Sequence, residues 1–570
     1  MKIRSGFAES LNRLYDTKRG ALLFAVLSAL LTALTLIFDI LSVAVFVSLI
    51  PLILILIKRC ENGKKPFSSY AIAFAWSFCF YIVIYHWFWY LWPMDFLGVE
   101  RPMALLITLF CWIGLSLLQA IGTAFVGPLF CLAYKKGGPA MAPFVFAAAW
   151  TVLEYLQSLT WMGVPWARLA ISQTVFPAAI QTAALFGSLF VGLLIALVNG
   201  LLALAVRYFI MEGKKSVGAI RLTAIALAVV LLNVGYGLAV IGVHDETGKG
   251  IDSAVKVTVI QGNIASGDKW ADNSNSNSMN VYESLTLEAD SKDHADIVVW
   301  PETVLTTYAK ENPVYRSRIL ELAENTGSII FVGSLDAAEN EDGNVEEYNA
   351  VIAFFPGGIC EERSYRKQHL VPFGEYMPMR TILDTLLPFM TELNMLEDDL
   401  AQGEGSEIIE TQYGSIGRLI CFDSIYPDLA RKSTADGAEY ILLSTNDSWY
   451  RDSASAYQHN AHAILRAVEN RRYIVRAAST GISAVITSEG NVIDMIAPLE
   501  SGYITSYIFP EDGRTLYSYV GDIIVIPCAA LLATLSFFSK FCVKKHKKNN
   551  ETDTDQAIYE EKTNTSEEKN

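Results

Sequence analysis

Apolar residues collect in long blocks at both ends of the chain, and a polar stretch lies between them. Eight blocks read as membrane-length helices: Ala21–Ile37, Leu41–Ile57, Tyr70–Trp92, Met103–Tyr134, Ala140–Leu159, Ala179–Val206, Thr223–Val243 and Val520–Phe541. A helix crossing a hydrocarbon core of roughly 30 Å needs about 20 mostly apolar residues. The fourth and sixth blocks exceed that, which predicts tilt or extension past the bilayer. The fifth carries Glu154, costly inside a span and so a candidate for function or for structural pairing. From about residue 255 to 512 the pattern shortens. Val255–Ile260, Ile297–Trp300, Ile329–Leu335, Ala350–Phe355, Ile416–Phe422 and Tyr440–Thr445 read as strands, with helical patterns at Tyr315–Glu324 and Ala454–Arg472. Strands alternating with helices predict an α/β domain of packed sheets.

Basic residues orient the spans. They cluster at Lys2, Arg4, Arg13, Lys18 and Arg19, at Lys58, Arg59, Lys64 and Lys65, at Lys135 and Lys136, at Arg207, Lys214, Lys215 and Arg221, and at Lys544, Lys545, Lys547 and Lys548. All fall on one side if eight segments span, and that side is cytoplasmic by the positive-inside rule. The expected organisation is a seven-helix transmembrane region (1–250), an extracytoplasmic domain (251–512), an eighth helix (513–543) and a disordered cytoplasmic tail (544–570). The aromatic run His86, Trp87, Trp89, Tyr90 and Trp92 reads as an interfacial belt.

Composition agrees with a membrane protein. Only 18% of the 570 residues are charged, against about 25% in soluble domains. A net charge of −15 excludes a nucleic-acid partner, which needs a basic surface. Six of the eight cysteines lie in or beside apolar blocks, and no C-x-x-C pair exists, which argues against a zinc or iron–sulfur site. Cys360 and Cys421 lie in the polar middle.

Three motifs there end a strand in a reactive group. Trp300-Pro301-Glu302-Thr303 runs an apolar strand into a carboxylate. Lys367 opens Lys367-Gln368-His369-Leu370-Val371-Pro372-Phe373-Gly374-Glu375. Cys421 closes Leu419-Ile420-Cys421-Phe422-Asp423. Singly, each has a plain reading: a solvated Glu, an exposed Lys, a packed Cys or one in a disulfide with Cys360. Together, in this order, they resemble the nitrilase superfamily. With eight spans, the resemblance narrows to the apolipoprotein N-acyltransferase family and covers nearly the whole chain. Trp150, Glu154, Gly163, Pro165, Trp166, Ser172 and Gln173 resemble that family's signature between the fifth and sixth spans. Gln261-Gly262-Asn263 with Trp270, Asn446-Asp447-Ser448-Trp449 and Gln458-His459 resemble its other motifs.

The resemblance implies an α-helical membrane bundle carrying an inserted nitrilase-like αββα sandwich. It implies Cys421 as nucleophile, Glu302 as general base, Lys367 as oxyanion stabiliser and Glu375 as its support, with Trp270, Phe422 and Asp423 as substrate-binding or supporting residues. Phe422 and Asp423 depart from the family's common Tyr and Glu, which puts selectivity in doubt. No metal or organic cofactor is implied. The implied reaction moves a fatty acyl chain from a membrane phospholipid, through a cysteine thioester, to the α-amine of a diacylglyceryl-modified lipoprotein cysteine, in the bacterial inner membrane. An acyltransferase acting on another amine, a membrane-tethered amidase and a non-catalytic scaffold are the alternatives. The apolar stretch Tyr376–Leu400, with Ile382, Leu383, Leu386, Leu387, Phe389 and Met390, reads either as a lipid-dipping gate or as a packed helix.

Overall fold

The computed structural model describes residues 17–537 except 96–98, 160–162, 214–215, 244–252, 270–272, 341, 382–384 and 386–398. Trp270, most of the Tyr376–Leu400 stretch and the C-terminal tail lie outside the described residues.

Seven helical stretches among the described residues are long and apolar enough to cross a membrane: Lys18–Thr35, Asp39–Glu61, Pro66–Leu91, Arg101–Gly137, Pro139–Leu156, Ser188–Glu212 and Val217–Val243. The long fourth stretch breaks at Ala124–Phe125 into two helices. The sixth block is not one helix. Pro177–Ile180 and Ala183–Phe186 form short turns, and Gly187, at φ +79°, redirects the chain into Ser188–Glu212. Glycine alone takes that conformation without cost. Near the C-terminus, Val525–Phe537 is a described apolar helix of 13 residues. The helix Val217–Val243 buries only Ala219, Ala226 and Gly237 and exposes Ile220, Leu227, Leu231, Leu232 and Leu238. In water such a surface would associate or aggregate; lipid is the solvent that suits it.

Within the bundle, Glu154 is 5% exposed. Its Oε1 accepts from Trp150 Nε1 (2.9 Å) and from the Leu169 backbone N–H (3.0 Å). It therefore ties its own helix to the segment that carries Trp166, a structural pairing of the kind a buried carboxylate needs.

The polar middle folds into two stacked sheets. The strands are β1 (Val255–Gln261), β2 (Ile297–Val299), β3 (Leu305–Tyr308), β4 (Ile329–Glu339), β5 (Val345–Phe355), β6 (Ile359–Cys360), β7 (Tyr365–Arg366), β8 (Ile409–Thr411), β9 (Gly414–Ile420), β10 (Tyr440–Thr445), β11 (Ile474–Ala478), β12 (Ser483–Ile486), β13 (Val492–Ile496) and β14 (Gly502–Ile508). One sheet runs β14-β1-β2-β4-β5-β6, with β3 on β4 and β7 on β5; the other runs β13-β12-β11-β10-β9-β8. The neighbours β1–β2, β2–β4, β9–β10 and β10–β11 are parallel, so these central strands are covered on both faces and read as continuous apolar runs.

Val257, Val259, Val299 and Phe331 of the first sheet meet Ile416, Ile420, Leu442 and Val475 of the second in one core. The first sheet's other face packs on helices Ser274–Lys292 and Pro313–Thr326. The second sheet's outer face carries Leu419, Ile441, Leu443 and Ile486. These join a single apolar core with helix Ala454–Asn470 and membrane-part residues such as Trp150, Trp166 and Ile180. The order is helix, sheet, sheet, helix, and the last helical layer rests on the bundle. The architecture is the expected αββα sandwich with mixed sheets. The strand predicted to run to Phe422 stops at Ile420, because Cys421–Ile425 coil into a 3-10 turn.

Candidate active site

Three strand ends open on one cavity of about 160 Å³. Glu302 lies just past β2, Lys367 directly follows β7, and Cys421 directly follows β9. All three line the cavity, as do Glu375, Asn349 and Phe422. The bundle supplies part of the wall through Trp87 and Trp166.

The polar end is a tight charge cluster. Lys367 Nζ donates to Glu302 Oε1 (2.9 Å) and to Glu375 (2.9 Å to Oε2). Asn349 Nδ2 donates to the Oε1 atoms of the same two carboxylates, at 2.7 and 2.8 Å. Glu375 is held further by the Val371 backbone N–H (2.8 Å). Glu302 Oε2 is buried and has no hydrogen-bond partner among the described residues. One oxygen of Glu302 is therefore anchored and the other is free to accept a proton. Burial acts against the Lys367 charge, but Glu302, Glu375 and Cys421 outweigh it and hold the ammonium well above the usual lysine range. The Glu302 loop can come this close because residue 333 is glycine. A Cβ there would meet the Pro301 carbonyl oxygen at 2.1 Å.

Cys421 sits at φ +49°, a left-handed conformation that costs a non-glycine residue roughly 1–2 kcal/mol. The turn is braced. The Cys421 carbonyl accepts from Ser424 Oγ (2.8 Å) and faces His459 Nε2 at 3.0 Å. His459 Nδ1 lies 2.7 Å from Asp447 Oδ1, and Arg476 Nη2 donates to Asp447 Oδ2 at 2.7 Å. Burial works against the Asp447 charge, yet His459 and Arg476 hold its carboxyl down at about 2. Burial and the Glu302 charge push the Cys421 thiol up, only partly countered by Lys367. At rest the thiol is protonated and needs a base.

The family's frequent Glu is Asp423 here, and it faces away from the cavity. Fully buried, it accepts from Tyr365 Oη (2.9 Å), from the Ile420 N–H (3.1 Å) and from the Gln368 and His369 N–H groups (3.3 and 2.7 Å). It thus pins the Cys421 turn to the segment after Lys367. Phe422 does line the cavity and packs edge-on against Tyr426. Cys360 and Cys421 are both free thiols.

Asn349 and Lys269 carried no sequence pattern. Lys269 is 3% exposed and donates to the Glu302 carbonyl (2.9 Å) and to Thr303 Oγ1 (2.6 Å). The aromatic run splits. Trp89 and Tyr90 are exposed, as a belt would be, but Trp87 is 4% exposed and turns inward. Its ring meets Tyr450 edge-on at 4.3 Å and Trp166 at 5.3 Å.

Fold and cavity together define an enzyme of the carbon–nitrogen hydrolase class built onto an apolar helical bundle. A family model described as "Carbon-nitrogen hydrolase" matches residues 256–516, and one described as "Apolipoprotein N-acyltransferase N-terminal domain" matches residues 27–201. The curated "Apolipoprotein N-acyltransferase" of Geobacter metallireducens is 33% identical over 398 residues, covering 69% of this chain and 74% of that protein. Its namesake in Gloeobacter violaceus is 30% identical over 507 residues, covering 87% and 90%. That of Haemophilus ducreyi is 28% identical over 418 residues, covering 72% and 77%. The chain belongs to the apolipoprotein N-acyltransferase family and is an acyltransferase.

Proposed function

We propose that this protein transfers a fatty acyl chain from a membrane phospholipid to the α-amine of the diacylglyceryl-modified N-terminal cysteine of lipoproteins, through a thioester on Cys421. The observation that carries this reading is the cavity itself. A half-buried thiol and a half-anchored carboxylate share it with an apolar wall supplied by the membrane bundle. A site for soluble amides has no need of that wall.

The chemistry follows from the free and committed atoms. Glu302 Oε2 takes the Cys421 proton, and the thiolate attacks the ester carbonyl. An ammonium has three donors; Lys367 commits two to Glu302 and Glu375, and the third meets the oxyanion. The intermediate collapses, and Glu302 returns the proton to the departing lysophospholipid oxygen. The lipoprotein amine then attacks the thioester, Glu302 takes its proton, and the thiol is regenerated as the amide leaves. Asn349 and Glu375 keep Lys367 and Glu302 in register.

We place the protein in the bacterial inner membrane with eight spans, the helix Val525–Phe537 beginning the eighth. Residues 251–512 lie outside the cytoplasm and both termini inside. The clustered basic loops support this orientation.

Mass spectrometry of the purified protein after incubation with phospholipid tests the reading. The intact protein gains one acyl group on Cys421, and a synthetic diacylglyceryl-cysteine peptide discharges it as an amide. Cys421→Ala gains nothing while remaining folded. A wild-type protein without adduct, or an adduct persisting in Cys421→Ala, overturns the assignment.

A further inference from the structure

Lys269 is a buried amine that the reaction above does not use. It closes the four-residue helix Ser266–Lys269, in the segment between β1 and the helix Ser274–Lys292. Its ammonium reaches across to the loop after β2 and there makes two hydrogen bonds, to the Glu302 carbonyl (2.9 Å) and to Thr303 Oγ1 (2.6 Å). Thr303 is itself at φ +43°, a conformation a β-branched residue adopts only under constraint. The Pro301–Thr303 backbone lies against Gly333 with no room for a Cβ. Glycine permits the close approach but exerts no hold; the hold comes from Lys269.

We propose that Lys269 is a positioning residue for acyl transfer. It clamps the strained Glu302–Thr303 turn by the backbone, so that Glu302 keeps one oxygen on Lys367 and presents the other to the Cys421 thiol. A lysine buried for packing alone would leave its charge without counterpart; this one spends its donors on the two residues that set the direction of Glu302. It also brings a second cation to a site where one buried lysine otherwise faces two carboxylates and a thiol. Among the described residues, Glu302 and Cys421 are the ionisable groups that face it. Burial lowers its ammonium to about 8, against the pull of both, so the clamp weakens within an accessible pH range.

The inference rests on the proposed thioester reaction, and the test separates the two. Single-turnover acylation of Cys421 by phospholipid is followed by intact-mass spectrometry from pH 6.5 to 9.5 for wild type, Lys269→Met and Lys269→Arg, with melting temperatures recorded. Wild type should slow as the pH passes about 8. Lys269→Met should acylate at least about tenfold more slowly, at unchanged donor half-saturation, because a displaced base costs rate and not binding. Lys269→Arg should recover most of the rate and lose the alkaline decline, since arginine stays charged. A wild-type rate and pH profile in Lys269→Met, or equal losses in the Met and Arg variants, overturns the clamp. If Lys269→Met does not fold, Thr303→Val decides, because it keeps the lysine and removes one anchor. Slower acylation with an unchanged melt supports the clamp, and a wild-type rate overturns it. Absence of any adduct in wild type sinks the thioester reading instead.

Discussion

Lys367 and Glu302 meet at 2.9 Å with side chains only 1% and 5% exposed. An ion pair this dry is expensive to break from one side, because the partner left behind is a buried, uncompensated charge. It also gives Glu302 two separable effects on Cys421. In the proposed reaction the carboxylate accepts the thiol proton, and its negative charge raises the thiol pKa.

Glu302→Gln therefore has effects of opposite sign on two measurements. Acylation by phospholipid falls by about 10²–10⁴-fold, the range expected for loss of a general base. Alkylation of Cys421 by iodoacetamide at pH 7.5 becomes faster, because the neutral amide no longer disfavours the thiolate. If both rates fall together, the proton-accepting role of Glu302 outweighs the effect of its charge on the thiol. Lys367→Met strands the buried Glu302 and the half-buried Glu375 and should cost about 3–5 kcal/mol, seen as a lower melting temperature. Combining it with Glu302→Gln should restore part of that loss.

Asp423 offers a test by pH. Burial raises its carboxyl to about 7, above the unfolded value of about 3.9. A carboxyl raised on folding binds protons more tightly in the native state. Its contribution thus favours folding increasingly as pH falls from about 7 toward 4, and is lost as pH rises back through 7. The melting temperature of wild type minus that of Asp423→Asn should grow as pH is lowered from 8 to 5. A flat difference would mean that the N–H and O–H donors around the carboxylate keep it ionised throughout.

How much of this site was readable beforehand depends on whether a residue's role leaves a local pattern. Glu302, Lys367 and Cys421 were legible because an apolar run ending in a reactive group is a local event. Their chain order added the rest. Lys269 and Asn349 left no trace, since each works by reaching a partner far away in sequence, and burial of a single polar residue changes no periodicity. Trp87 was misread for a related reason. In the run Tyr85–Leu91, a 3-10 turn, neighbouring aromatics face different ways, and only packing shows that Trp87 meets Tyr450. Asp423 was legible only as a substrate-binding or supporting residue, by its proximity to Cys421. Yet the 3-10 turn that begins at Cys421 swings the next-but-one side chain inward, where it accepts from backbone N–H groups. Among the strands, β3, β6, β8 and β11 to β14 were missed; β3, β6 and β8 are only two to four residues long, and β13 is largely exposed and so lacks the apolar run that marked the central strands.

Orientation can be checked on intact cells. A cysteine engineered at Glu311, on the sandwich, should react with a membrane-impermeant maleimide, whereas cysteines at Lys64 or Lys547 should react only after the membrane is opened. Labelling at Lys64 in sealed cells would invert the proposed topology.

The last expectation concerns order of events and water. If Cys421 stores the acyl group covalently, donor and acceptor need never share the cavity, so lysophospholipid leaves before lipoprotein binds and the kinetics are ping-pong. Initial-rate lines for varied donor and acceptor should run parallel; intersecting lines would exclude a free acyl-enzyme. The stored thioester must meanwhile be kept from water, because hydrolysis competes with the amine for the same bond. Among the described residues, the apolar wall nearest this task is Trp87 with Trp166, Phe422 and Tyr450. Trp87 closes it by its edge-on contact with Tyr450 across the boundary between bundle and sandwich. Trp87→Ala removes a ring that packs on the aromatic rings of Tyr85, Phe88, Trp166 and Tyr450, so acylation should survive. The gap admits water, and the ratio of free fatty acid to amide product should rise severalfold. Trp87→Phe keeps an aromatic plug and should stay close to wild type. An unchanged ratio in Trp87→Ala would show that the barrier to water lies elsewhere around the cavity, while leaving Glu302, Lys367 and Cys421 in their proposed roles.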